Sequence, residues 1–119
     1  MILVLLSFSA SEPACIKMTD NDKRHTVELR IGESLEVELR GNPTTGYVWD
    51  IASLDEEIMK QVGETEFKQE REGRGVGGKI MMRFKARAAG ETPLKLIYHR
   101  RFENERPPIR TFEVTIIVK

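Results

Sequence analysis

Disulfide bonding within the chain is excluded, because its 119 residues contain one cysteine, Cys15. No CxxC pair and no Cys/His spacing points to a metal site, and no cofactor is expected. Charge of either sign is not in excess: 19 Lys and Arg balance 19 Asp and Glu. The chain therefore has no global attraction to nucleic acid or to an anionic membrane, and any charged partner must be met locally. Histidine is scarce. His25 and His99 stand in no catalytic motif, so a nucleophile would lack its base, and Cys15 is read as a tail thiol outside the sheets. The acidic run Asp55-Glu56-Glu57 reads as solvated surface. Long apolar runs are also missing: Ile2 to Leu6 falls far below the roughly 20 residues needed to cross a bilayer.

Fold stability must then come from packing. A chain of 119 residues and 13.7 kDa is long enough for one self-sufficient core. The opening MILVLLSFSASEPAC has small residues after its apolar run, like a secretory signal, but no basic residue before it. Residues 1–20 are read as an N-terminal segment, either a short signal or a tail, and residues 21–119 as the domain. A signal would direct the protein to secretory or endolysosomal vesicles; without one it would be cytoplasmic.

From Thr26 onward, apolar residues recur at every second position, the period of a strand with one buried face. Leu35, Val37 and Leu39 form one such set. Ile80, Met82, Phe84 and Ala86 form another, succeeded by Leu94, Leu96 and Tyr98 and then by Phe112, Val114, Ile116 and Val118. Glycines and prolines fall between these sets, where turns belong. Leu54, Ile58 and Val62 are spaced at four, which reads either as one or two helical turns or as an irregular connection into a strand near Lys60 to Phe67. About seven to eight short strands without a long helix predict an all-β, immunoglobulin-like sandwich with Trp49 in its core.

The glycine cluster Gly73 to Gly78 is not a phosphate loop, because it leads into a strand where a helix N-terminus would be needed. More informative is Gly41-Asn42-Pro43-Thr44-Thr45-Gly46-Tyr47. Pro43 fixes its own φ and pushes Asn42 toward extended geometry, the Asn42 side chain can bond nearby backbone, and Gly46 permits positive φ. The product is either a stiff loop presenting Thr44 and Thr45 or an ordinary tight connection.

N-P-T-T-G-[FY]-x-W, here Asn42 to Trp49, resembles the signature loop of the chagasin family, proteinaceous inhibitors of papain-like cysteine proteases. The family's second loop, G-x-G-G, is matched by Gly75-Val76-Gly77-Gly78. Its third loop carries R-P-W, and the corresponding place reads Arg100-Arg101-Phe102, so only the arginine is retained. The resemblance covers about Thr26 to Lys119. It implies a non-enzymatic inhibitor, monomeric when free, whose three loops form a wedge that enters the cleft of papain-like, cathepsin L-like proteases. Asn42, Pro43, Thr44, Thr45 and Gly46 would sit over the catalytic cysteine and histidine. Gly75 to Gly78 would run along the unprimed groove, and Arg100, Arg101 and Phe102 along the primed side. The alternative is a non-inhibitory immunoglobulin-like adhesion or receptor module. Nucleic-acid binding through Arg100, Arg101, Arg106 and Arg110 is disfavoured, since Glu103 and Glu105 interrupt the cluster and no stacking platform accompanies it.

Overall fold

The computed structural model describes residues 14–70, 77–103 and 105–119. Nine strands are found among them: β1 Cys15–Thr19, β2 Thr26–Leu29, β3 Ser34–Gly41, β4 Val48–Ser53, β5 Met59–Gln61, β6 Glu66–Gln69, β7 Gly78–Ala86, β8 Gly90–His99 and β9 Arg110–Val118. One sheet runs β1-β3-β7, with β5 and β6 sharing the far edge of β7. The other runs β2-β9-β8-β4.

The alternating residues account for the core. Leu35, Val37 and Leu39 on β3, Ile80 to Ala86 on β7, Leu94 to Tyr98 on β8 and Val114 to Val118 on β9 are buried between the sheets. Each large apolar side chain so placed contributes about 1.5–3 kcal/mol. Trp49 is 4% exposed. Its indole N–H donates to the Arg40 carbonyl at 3.1 Å, so the one polar atom of the ring is satisfied inside the core. Tyr98 packs against it with ring centroids 5.0 Å apart, and its hydroxyl accepts the Asn42 N–H at 2.9 Å. The core thereby reaches directly to the base of the Asn42 loop.

One sequence expectation is revised, and one pair of alternatives is decided. Cys15 is exposed but does not lie outside the sheets: it opens β1, which pairs in parallel with β3 from Cys15 opposite Ser34 to Thr19 opposite Glu38. Of this strand only Met18 is fully buried, so it carries no alternating signal. Polar contacts hold it instead. Lys17 Nζ lies 2.7 Å from Glu38, which also takes Lys79 of β7 at 3.3 Å. The hydrogen bond from Lys17 holds the Glu38 carboxyl below the usual range despite partial burial.

The Leu54, Ile58, Val62 spacing does not make a helix. The N–H groups of Ile58 and Met59 both donate to the Asp55 carbonyl, at 3.1 and 3.0 Å, and the turn ends there. Met59–Gln61 then joins the edge of β7 opposite Ala86 to Phe84, which is the irregular connection into a strand. Pairing with an existing edge outweighs a weak helical pattern only three residues deep.

Candidate functional site

The segment after β3 folds as its residue types dictate. Asn42 is extended at φ −139° and ψ 99°, and caps a single 3-10 turn, Pro43–Thr45, with Pro43 in the first position. The Asn42 Oδ1 accepts the Thr44 N–H at 3.1 Å and the Thr44 hydroxyl at 2.6 Å. Its carbonyl accepts the Thr45 hydroxyl at 2.7 Å and the Thr45 N–H at 3.2 Å. Gly46, at φ 82°, closes the turn by donating its N–H to the Pro43 carbonyl at 3.1 Å. Only glycine adopts that left-handed conformation without strain. Pro43, Thr44, Thr45 and Gly46 are all exposed, so the loop is internally bonded and presents its tip to solvent.

Strand register brings the glycine segment alongside. Gly41, the last residue of β3, pairs with Gly78, the first of β7. Gly77 lies close enough that a Cβ there would sit 3.5 Å from the Gly41 carbonyl and 3.9 Å from the Asn42 Cβ, both ordinary contacts. Gly78 differs. A Cβ on it would collide with the Lys68 carbonyl oxygen and lie 2.9 Å from the Gln69 Cα, so its bareness is demanded by β6 within the sheet. Gly75 and Val76 lie outside the described residues.

The third loop leaves β8 after His99, which pairs with Val48 at the start of β4. Arg100 turns toward the first loop: its Nε donates to the Thr45 carbonyl at 3.1 Å, and its guanidinium lies 4.5 Å from the Tyr47 ring centroid. Glu103 approaches its other side at 3.4 Å. Phe102 is 74% exposed. Its ring edge would stand 3.5 Å from a Cβ built on Gly46, so it flanks the Asn42 loop. All the described residues of the three loops thus gather at one end of the sandwich.

Arg101 points elsewhere. Its Nε and Nη2 grip the Asp50 carboxylate of β4 at 2.8 and 2.5 Å, and the His99 Nε2 lies 2.8 Å from the same carboxylate. The hydrogen bond from Arg101, opposed by partial burial and aided by His99, lowers the Asp50 carboxyl from its ordinary 3.8 to about 2.

Sequence reasoning passed over Tyr47, Asp50, Tyr98 and Arg110 as supports of this end. Arg110 spans both sheets, donating to the Arg40 carbonyl at 3.0 Å and to Asp20 at 3.1 Å, with its guanidinium 5.4 Å from the Trp49 ring centroid. The signal for Tyr47 and Tyr98 was their aromatic character beside the loop. Asp50 and Arg110 gave none, since their partners are distant in sequence. Among the described residues, no group of three or more His, Cys, Asp or Glu side chains is arranged to hold a metal ion, and no helix is long and apolar enough to cross a membrane.

Comparison with known proteins agrees with this geometry. The chagasin family peptidase inhibitor I42 model matches residues 28–116. Amoebiasin-1 of Entamoeba histolytica is 33% identical over 86 residues, covering 71% of this chain and 82% of that protein. The crystal structure of the cysteine protease inhibitor EhICP2 from Entamoeba histolytica superposes with a TM-score of 0.78 at 23% identity, covering 89% of this chain and 96% of that one. PbICP-C, solved in complex with falcipain-2, shares the fold at a TM-score of 0.60 and 21% identity, with 89% and 99% covered.

Proposed function

This chain belongs to the chagasin family of peptidase inhibitors, and from that premise we propose that it inhibits papain-like cysteine proteases by seating three loops reversibly and tightly in the active-site cleft. The family is one of inhibitors and not of enzymes, and a relative of the same fold is complexed with falcipain-2. In this reading Thr44 and Thr45 cover the catalytic cysteine and histidine. Gly75 to Gly78 line the unprimed groove, and Arg100 and Phe102 meet the primed side.

One observation carries the proposal: the exposed tip is a pre-formed, internally hydrogen-bonded turn and not an extended peptide. The carbonyls of Asn42, Pro43 and Thr45 each accept a hydrogen bond from their own protein, from Thr45, Gly46 and Arg100 respectively. Attack by a thiolate needs a carbonyl held in line at roughly 3–3.5 Å. A 3-10 turn closed by these bonds does not offer an extended scissile peptide. Because the turn is formed before binding, association loses less ordering entropy than a flexible peptide would.

Three loops of this size would bury about 800 Å² per partner, the usual area for protease–inhibitor pairs. Nanomolar inhibition, about −12 kcal/mol, is the expected outcome. The test is titration of a cathepsin L-like enzyme at pH 5–6, then dilution of the complex and mass spectrometry of the inhibitor. Full recovery of activity with the chain intact is expected. Micromolar or absent inhibition, or cleavage between residues 42 and 46, would overturn the proposal.

A further inference from the structure

Beyond His99 the β4–β8 ladder has ended. Among the described residues of the loop that leaves it, backbone bonding is sparse: the Glu103 N–H donates to the Arg100 carbonyl at 3.0 Å, the Arg106 N–H to the Glu103 carbonyl at 3.2 Å, and the Ile109 N–H returns to the Tyr98 carbonyl at 3.0 Å. Yet Arg100 and Phe102, on either side of Arg101, are the residues of this loop that reach the first loop. The contact that ties the turn to the sandwich between them is the two-pronged grip of Arg101 on Asp50.

We propose that Arg101 and Asp50 form an ionic clamp that positions the third loop, so that Arg101 serves the interface through Arg100 and Phe102 and not by touching the protease. This deepens the inhibitor reading and rests on it for its effect on binding. The planar guanidinium fork matches a carboxylate in direction as well as charge, and a lysine would supply charge alone. His99 Nε2 lies against Asp50 Oδ2, the oxygen that also takes the Arg101 Nε, so the clamp draws on a neighbour that is itself at the end of the ladder. With the Arg101 side chain pinned against β4, the chain reversal at residues 101–102 aims Arg100 at Tyr47 and Phe102 at the flank of Gly46. The ordinary view is that an exposed ion pair stabilises folding very little, and Arg101 is 71% exposed on its side chain. The clamp is therefore expected to order one loop without changing the melting temperature appreciably.

Two measurements on Asp50→Asn, Arg101→Met and the double variant test it. Backbone 15N relaxation on the free protein should show the amides of residues 100–103 losing order in both single variants, with the residues 42–46 loop unchanged. In protease titrations each single variant should raise the inhibition constant about tenfold, and the double variant no further, since both remove one device. Unchanged order at residues 100–103, or effects of the two substitutions that multiply, would overturn the clamp. The relaxation arm uses no protease. It decides the clamp even if the wild-type protein left the enzyme untouched, a result that would count against the inhibitor reading alone.

Discussion

The first and third loops stand side by side at one end of the sandwich, and they are held in place by different physics. The Asn42 to Gly46 loop is shaped by its own residues: an asparagine cap, a proline in the first position of the turn and a glycine in the left-handed region. The loop after His99 has local turns, Glu103 N–H to the Arg100 carbonyl and Arg106 N–H to the Glu103 carbonyl, but these do not fix it against the sandwich. It is held by side chains reaching far along the chain, Arg100 to Thr45 and Arg101 to Asp50. Local backbone chemistry gives a conformation that exists before any partner arrives and is indifferent to pH and salt. Side-chain tethers give one that depends on charge and can be undone one ion pair at a time.

The contrast can be broken from the first loop's side most strongly. Gly46→Ala forces an L-residue to φ 82°, which costs about 1–3 kcal/mol. A melting curve should register that loss, and the inhibition constant should rise at least tenfold. An unchanged melting temperature would show that the turn is not as constrained as its geometry implies. Asn42→Ala removes the acceptor of the Thr44 N–H and hydroxyl and should cost about 1 kcal/mol, in line with other cap deletions. Here the decisive reading is amide exchange at Thr44 and Thr45, which should quicken in this variant and stay as in the wild type in Arg101→Met.

A pH titration should separate the two loops without any substitution. Asp50 has a folded value of about 2 against an ordinary 3.8, so its ionised form is favoured by folding. The stability it adds, small because Arg101 is largely exposed, is present above about pH 4 and fades as pH falls toward 2. Amide shifts of residues 100–103 should accordingly move as pH falls from about 4 toward 2. Those of residues 43–46, whose segment carries no carboxylate or histidine, should stay in place. Coincident movement of both loops would mean that they are one unit.

The sequence made the sandwich legible wherever burial was one-sided. Val37, Met82, Leu96 and Ile116 lie on alternating runs, and all are buried. Trp49 stands in the core as expected. Elements held by pairing and charge escaped. β1 buries only Met18 fully, and none of the four residues of β6 is buried, so neither displays a period. At the candidate site, the first loop was readable because each of its constraints lies within five residues. The Asp50–Arg101 pair spans 51 positions and leaves no local trace. Gly78 carried a signal with two meanings: its bareness fits a ribbon open to a protease, yet the structure shows that β6 already requires it.

Whether the exposed Pro43-Thr44-Thr45 tip is the part that stops the enzyme is tested most directly by tight-binding titration of a papain-like protease with the wild-type protein and with a Thr44→Ala/Thr45→Ala variant. Both threonines are exposed, so the variant should melt within a degree or two of the wild type. Nanomolar inhibition by the wild type that weakens at least a hundredfold in the variant is the predicted result, while an equal inhibition constant for the two proteins would contradict it.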